Sequence, residues 1–186
     1  MSLLSSFVLK LFGWSFYSDS LPLKKCILIA APHTSNWDFP MMILYGFMLE
    51  LKYYWLGKHT LFFGPMGLVM KKLGGISVDR RQKNDFVASL SREIISKREC
   101  ILIIPPEGTR SRSEYWKSGF LHIARGANVP IVFAKLDYEK KTLVFSKNVS
   151  ATRSDDEIMS FAKTFYQDAK ALRPNRFGPV RLKPKN

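Results

Sequence analysis

Cysteine is scarce in this sequence, and no cysteine pair has the spacing of a metal site. The chain has 186 residues and two cysteines, Cys26 and Cys100, each of which opens an apolar run. Free cysteine is among the most buried residue types, so we expect two reduced thiols inside strands. Nothing indicates a disulfide framework, and a reducing cytoplasm is the compartment that fits.

Long apolar runs are also missing. A helix that spans a bilayer needs about 20 apolar residues, and no stretch of this sequence reaches that length. The first residues lack the charged leading segment and the small-residue cleavage site of a signal peptide. The sequence therefore predicts neither a membrane-spanning helix nor a secretory leader.

Acidic residues are few as well. Fifteen Asp and Glu stand against twenty-nine Lys and Arg, which gives a formal net charge of +14 at pH 7. Such a charge predicts an acidic partner, either nucleic acid, anionic lipid, or an acidic protein or cofactor. The basic residues are scattered rather than interleaved with aromatic residues on one face, so a nucleic-acid-binding domain is not favoured.

What the sequence does contain is a regular alternation of short apolar runs and helical patterns. This alternation predicts a single α/β domain, an αβα sandwich around a mixed, largely parallel sheet. We expect an N-terminal amphipathic helix within residues 1–19 and the main domain in residues 20–186. The predicted strands are 26–31, 53–56, 76–78, 101–104, 129–134, 142–145 and 180–182; the predicted helices are 1–17, 39–52, 65–73, 84–97, 116–125 and 154–172.

The predicted N-terminal helix has a broad apolar face. Two interpretations of it stay open: the helix lies among lipid headgroups with Trp14 and Phe16 as aromatic anchors, or it packs on its own domain. The helix at 39–52 is apolar nearly all round, which is typical either of a core helix or of a wall of a lipid-binding groove. The apolar face of the first helix comprises Leu3, Leu4, Phe7, Val8, Leu11, Phe12 and Trp14, opposite Ser2, Ser6, Lys10 and Gly13, with Leu9 as an exception.

The most informative polar cluster is the segment from His33 to Asp38, directly after the first main strand. Ligands usually bind at the carboxyl edge of an α/β sheet, and Thr, Ser, Asn and Asp are strong helix N-caps. We therefore place His33 in a strand-to-helix loop and Asp38 at the helix start. A carboxylate that meets the imidazole fixes its tautomer and favours proton uptake, so His33 is a candidate general base. The alternative is a capped helix start with an incidental histidine.

Two further polar clusters follow predicted strands. The loop at 106–111 contains Glu107, Gly108, Thr109, Arg110 and Ser111. Arginine offers a bidentate fork for phosphate, the hydroxyls are donors, and the carboxylate accepts from a glycerol hydroxyl or holds the arginine. A glycine pair at 74–75 leads into a strand that ends near Arg80, a second phosphate ligand candidate. The alternative for both segments is a solvated, charged turn.

These clusters, in this order, resemble the glycerophospholipid acyltransferase family, which contains the 1-acylglycerol-3-phosphate acyltransferases. Its His-x4-Asp block is matched by His33 and Asp38, and its glycine-led block ending in arginine by residues 74–80. Its Pro-Glu-Gly-Thr-Arg-Ser block is matched by residues 106–111, and its Val-Pro-Ile strand by residues 129–131. The resemblance covers residues 33–134.

The resemblance implies an O-acyltransferase that moves a fatty-acyl group from acyl-CoA or acyl-carrier protein to the free hydroxyl of a lysophospholipid. The first acceptor to expect is 1-acylglycerol-3-phosphate, which gives phosphatidic acid. His33 is then the general base and Asp38 its orienting partner, with no cofactor and no metal. The implied substrate-binding residues are Arg80, Glu107, Gly108, Thr109, Arg110 and Ser111, with Lys58 as a weaker candidate.

A lipid acceptor also implies an anionic membrane surface as a partner, met from the cytoplasmic side by a peripheral or monotopic protein. The N-terminal helix within residues 1–19 is then expected to be a membrane-surface helix. Alternatives remain open. In one alternative, the same chemistry acts on glycerol 3-phosphate, another lysophospholipid or a lyso-aminolipid. In the other, the chain is a catalytically silent lipid-binding protein on the same scaffold. Because the base would activate the substrate's own hydroxyl, no acyl-enzyme is expected.

Overall fold

The computed structural model describes residues 1–18, 24–78 and 83–184. Its described part contains one seven-stranded sheet in the order β1-β7-β6-β2-β5-β3-β4. The strands are β1 (Ser15–Ser18), β2 (Lys25–Ala30), β3 (Tyr53–Lys58), β4 (Gly75–Val78), β5 (Cys100–Ile104), β6 (Ile131–Asp137) and β7 (Thr142–Phe145). The helices are α1 (Ser2–Leu11), α2 (Asp38–Met48), α3 (Gly64–Lys72), α4 (Lys83–Ser96), α5 (Gly119–Ala127) and α6 (Asp155–Tyr166), with 3₁₀ turns at His59–Phe62 and Pro174–Arg176.

The sheet is mixed and largely parallel, as predicted. Strands β6, β2, β5, β3 and β4 pair in parallel, whereas β7 pairs antiparallel to β6 and parallel to β1. The five parallel strands therefore bring their carboxyl ends to one edge, where the loops after β2, β5, β3 and β6 meet.

Helices cover both faces of the sheet. Alternate residues of the central strands point to opposite faces, as the pleat requires. Ile27 and Leu102 contact the layer of α4, α5 and α6, whereas Leu28 and Ile101 contact the layer of α1, α2 and α3. The predicted αβα sandwich is confirmed. Among the described residues, no helix has the length and apolarity that crossing a membrane requires.

Several predicted boundaries were wrong. The first helix ends at Leu11 instead of residue 17, because Gly13 takes a left-handed conformation (φ +73°) and the chain turns into β1. Trp14 and Phe16 consequently pack on the domain rather than extending a helix: their rings meet Tyr138 and Phe145 edge-on. The predicted strand at 180–182 is reduced to one bridge between Leu182 and Trp116.

Other helix ends also differ from the prediction. Helix α2 stops at Met48, and Glu50 beyond it adopts a positive φ of 52°. Helix α5 begins at Gly119 rather than 116, and α6 ends at Tyr166 rather than 172. Ser154 and Glu157 form a capping box at the start of α6, and the prediction of two buried free cysteines is confirmed.

Candidate active site

His33 and Asp38 form a hydrogen-bonded pair at the carboxyl edge of the sheet. His33 follows β2, Asp38 opens α2, and the distance from His33 Nδ1 to Asp38 Oδ2 is 3.1 Å. The same carboxylate oxygen accepts the backbone N–H groups of Thr34 at 2.9 Å and Ser35 at 3.0 Å. The loop thus folds around its own carboxylate, which orients the imidazole as the sequence predicted.

The protonation states follow from these contacts. Burial by itself would raise the pKa of Asp38, but hydrogen bonds from His33, the Ser35 backbone and Tyr138 together hold that pKa below its ordinary value. An ionised Asp38 accepts the Nδ1 proton of His33, so Nε2 keeps its lone pair. The His33 side chain is 27% exposed, which leaves the ring accessible to a substrate.

Tyr138 is a member of this cluster that the sequence did not reveal. Its hydroxyl donates to the second oxygen of Asp38, Oδ1, at 2.7 Å. The sequence prediction did not include this contact, because the strand was expected to end at residue 134, whereas β6 runs to Asp137 and Tyr138 follows it directly. The signal that would have found it is its position directly after a parallel strand, at the same edge as His33.

Glu107 is a buried carboxylic acid that contacts the His33–Asp38 loop. It is only 3% exposed, and its two carboxylate oxygens accept the backbone N–H of His33 at 3.0 and 3.2 Å. Burial raises the pKa of Glu107 to about 8; the His33 N–H works against that rise, and the nearby negative charge of Asp38 adds to it. The sequence suggested contact with a glycerol hydroxyl or with Arg110; the structure instead shows Glu107 holding His33 in place.

Residues 109–111 of the 106–111 loop lie at the surface, near the His33–Asp38 loop. Gly108 adopts a positive φ of 66°, the left-handed turn that favours glycine. Arg110 is exposed and donates to the side-chain oxygen of Asn36, which ties this loop to the His33–Asp38 loop. Thr109 and Ser111 are exposed as well, and the Thr109 hydroxyl accepts the backbone N–H of Ser111 at 3.2 Å.

The two remaining predicted phosphate ligands differ in what the structure says of them. Lys58 is the last residue of β3 and is exposed, at the same sheet edge as His33. Arg80 lies outside the described residues, two positions beyond the end of β4. Asn36, which the sequence suggested only as a helix cap, proves to be the partner of Arg110.

An apolar cavity of about 80 Å³ leads away from the pair. His33 and Asp38 border it at the start of α2, and Gly46, near the other end of that helix, borders it as well. Helix α2 is therefore both a core helix and a wall of this apolar cavity, and that the cavity binds lipid stays a prediction. The other lining residues are Leu28, Ala30, Ala31, Pro32, Met41, Met42, Tyr45, Leu51, Tyr53, Ile103, Ala134, Leu136, Leu143 and Phe145.

The family model described as Acyltransferase matches residues 16–134, which is more than half of the chain. No curated protein sequence matches it. The crystal structure of PlsC, the 1-acyl-sn-glycerophosphate (LPA) acyltransferase from Thermotoga maritima, is similar with a TM-score of 0.61 and 15% identity, over 88% of this chain and 74% of that one. At this identity the similarity shows a shared fold. The family match, however, includes both halves of the His33–Asp38 pair and the 106–111 loop, and the chain therefore belongs to the acyltransferase family.

Proposed function

We propose that this acyltransferase moves a fatty-acyl group from an acyl thioester to the free hydroxyl of a lysophospholipid, with 1-acylglycerol-3-phosphate as the first acceptor. The observation that carries the proposal is the His33–Asp38 pair at the border of an apolar cavity. A base beside an apolar cavity suits a substrate in which one end reacts and the other is a hydrocarbon chain.

The proposed reaction begins with proton transfer. Nε2 of His33 takes the proton of the acceptor hydroxyl, and Asp38 stabilises the imidazolium that results. The hydroxyl oxygen attacks the thioester carbonyl, so that a C–O bond forms and the C–S bond breaks. His33 then returns its proton to the departing thiolate, which leaves the enzyme unmodified, and acyl-CoA or acyl-carrier protein serves as co-substrate.

The charges at the sheet edge support a phosphate-bearing acceptor. Arg110 reaches across to Asn36, beside the catalytic pair, and offers a guanidinium to an anionic group. Lys58 ends a strand of the same edge, and Arg80 follows the next strand in the sheet. We assign Arg110 the phosphate, with Arg80 and Lys58 as further cations, while Gly108, Thr109 and Ser111 shape the rim.

The acyl chain requires more room than the structure offers as it stands. A cavity of about 150 Å³ is the size that holds a benzene molecule, and this one measures about 80 Å³. Methionine is the most adaptable apolar side chain, and both Met41 and Met42 line the wall that α2 provides. We therefore expect their rotamers to change when an acyl chain enters.

The test of the proposed function is a panel of acceptors with mass detection of the product. The purified chain is offered acyl-CoA or acyl-carrier protein together with 1-acylglycerol-3-phosphate, other lysophospholipids, a lyso-aminolipid and glycerol 3-phosphate. We expect phosphatidic acid from the first acceptor to be the dominant product. A dominant product from a different acceptor would correct the substrate, and vesicle binding without any product would favour a silent lipid-binding protein.

A Tyr138→Phe substitution should identify Tyr138 as a positioning residue. It removes the hydroxyl that donates to Asp38 Oδ1 and leaves the ring that packs against Trp14. A hydrogen bond to a charged group contributes roughly 1.5–3 kcal/mol, so we expect kcat to fall about tenfold or more while KM stays the same. Steady-state kinetics on the preferred acceptor measure both constants.

The matched control is Tyr54→Phe. This change also removes one phenolic hydroxyl, but from a half-buried ring that packs on the opposite face of the sheet. Its kinetics should equal those of the unmodified chain. If Tyr138→Phe and Tyr54→Phe gave the same kcat, Tyr138 would have no positioning role.

A further inference from the structure

Helix α1 presents its apolar side to solvent. Its buried residues are Ser5 and Leu9, which lie in the face packed toward α2. Leu3 is 87% exposed and Phe7 63%, so the amphipathic pattern is turned outward. A helix that packs through one serine and one leucine, and exposes its three other leucines, offers an apolar surface to a partner.

A second element of the same layer also turns an apolar side toward solvent. Helix α3 and the 3₁₀ turn before it contact the core through Phe62 and Met70. The close approach at Gly67 explains how the helix is held, because a Cβ there would lie 2.3 Å from the backbone of Phe62. The outer side of this segment is apolar and exposed at Leu61, Phe63, Met66, Leu68 and Val69.

The exposed apolar side chains are concentrated in this one layer. Among the residues that the structure describes, all large hydrophobic side chains on the surface lie in or directly beside α1, α2, the 3₁₀ turn and α3, except three. The exceptions are Tyr17, Ile95 and Leu172. The concentration distinguishes a docking face from the scattered exposure that any soluble surface shows.

The charges of this layer indicate the chemistry of the partner that it fits. Along α1, α2, the 3₁₀ turn and α3, the only acidic residue is Asp38, which belongs to the catalytic pair. Lys10, Lys71 and Lys72 are exposed beside the apolar residues. Apolar side chains flanked by the cations of α1 and α3 match a bilayer, where acyl chains lie beneath anionic headgroups.

We propose that α3 and the 3₁₀ turn at His59–Phe62 form a second membrane-docking element, which acts with α1 to place the helical layer on an anionic lipid bilayer. The two elements belong to the layer whose middle helix, α2, is a wall of the apolar cavity. Trp37, 66% exposed and adjacent to Asp38, lies in the same layer, and tryptophan favours the boundary between lipid and water. Docking in this way brings the catalytic edge to the depth of the headgroups. The proposal rests on the proposed function, because docking would serve to bring the chain to a lipid acceptor. Vesicle binding, however, is measured without any turnover.

The experiment is co-sedimentation of the full chain with vesicles of phosphatidylcholine, alone and with phosphatidylglycerol. The test variant combines Phe63→Ser and Leu68→Ser, and its matched control combines Ile95→Ser and Leu172→Ser, two exposed apolar residues elsewhere on the chain. We expect strong binding only to the anionic vesicles, a loss of about tenfold in the α3 variant, and no change in the control. A Lys71→Gln, Lys72→Gln variant should weaken binding to anionic vesicles.

Two results would overturn the proposal. The first is an α3 variant that binds vesicles as tightly as the unmodified chain. The second is a lipid-free dimer of the unmodified chain, seen by light scattering, that is lost in the α3 variant, because the face would then join two copies of the chain.

A short-chain acceptor that stays dispersed in water separates this proposal from the proposed function: the α3 variant should turn it over at the normal rate. Absence of turnover in the unmodified chain would remove the proposed function alone, and the vesicle result would still decide the docking.

Discussion

A His33→Ala variant should lose acyl transfer by about a thousandfold or more. General-base catalysis by a positioned side chain contributes typically 10²–10⁴-fold, and His33 is the only histidine in the catalytic loop. The fold should survive, because the backbone N–H of His33 still donates to Glu107 and Asp38 still accepts from Thr34 and Ser35. Transfer of a labelled acyl group from the thioester measures the loss, and circular dichroism checks the fold.

The matched control for this variant is His122→Ala. His122 is an exposed residue of α5, in the helical layer on the other side of the sheet from α2. Its replacement should leave transfer unchanged. Full activity in a correctly folded His33→Ala protein would remove the proposed mechanism, and a stable acyl adduct on the intact protein, found by mass spectrometry, would overturn direct attack by the substrate hydroxyl.

The part of the site that the sequence predicted correctly depends on short-range rules. His33 and Asp38 are five positions apart, a loop of this length closes on itself, and Asp38 opens a helix. The largely parallel sheet followed from strands that alternate with helices, and parallel pairing places the loops after β2 and β5 at one edge. Local spacing and one topological rule were therefore sufficient to bring these residues together.

The features that the prediction missed depend on long-range geometry. Tyr138 lies one hundred positions from Asp38 and meets it only because β6 runs three residues farther than its apolar pattern indicated. Glu107 was assigned to a glycerol hydroxyl or to Arg110 because these were the partners that its own loop suggested. Its burial beneath His33 depends on how neighbouring strand ends pack.

The outward face of α1 is what the membrane-surface interpretation of this helix requires, but the pattern of the helix alone left both interpretations open. Its amphipathic pattern shows which residues share a side, but not which side meets the domain. The helix packs toward α2 through Ser5, whose small side chain allows close approach, and through the apolar side chain of Leu9. An apolar stripe is normally assigned to the core, so this inversion becomes visible only in the folded chain.

A Glu107→Gln variant should remove a large pH-dependent component of stability. The folded chain holds the pKa of Glu107 at about 8, against an ordinary value of 4.5. Between these two pH values the folded form binds a proton that the unfolded form has released, so the free energy of unfolding falls as the pH rises through this window. The loss is on the order of 4 kcal/mol by pH 9. A glutamine stays neutral and keeps an oxygen that accepts the His33 N–H, so its stability should lack this decline.

Urea unfolding of both proteins at pH 5, 7 and 9 measures the effect, with the requirement that the m-value stays the same. Because the amide replaces one carboxylate oxygen by a donor, the free energy of unfolding of the variant differs from that of the unmodified chain by a constant amount at every pH. The test is therefore how the difference between the two free energies of unfolding changes with pH. Glu139→Gln, at an exposed position after β6, is the control and should follow the unmodified chain at every pH. A stability difference between the unmodified chain and Glu107→Gln that is the same at pH 5 and pH 9 would mean that Glu107 is already ionised throughout, with its charge held by contacts stronger than the His33 backbone N–H.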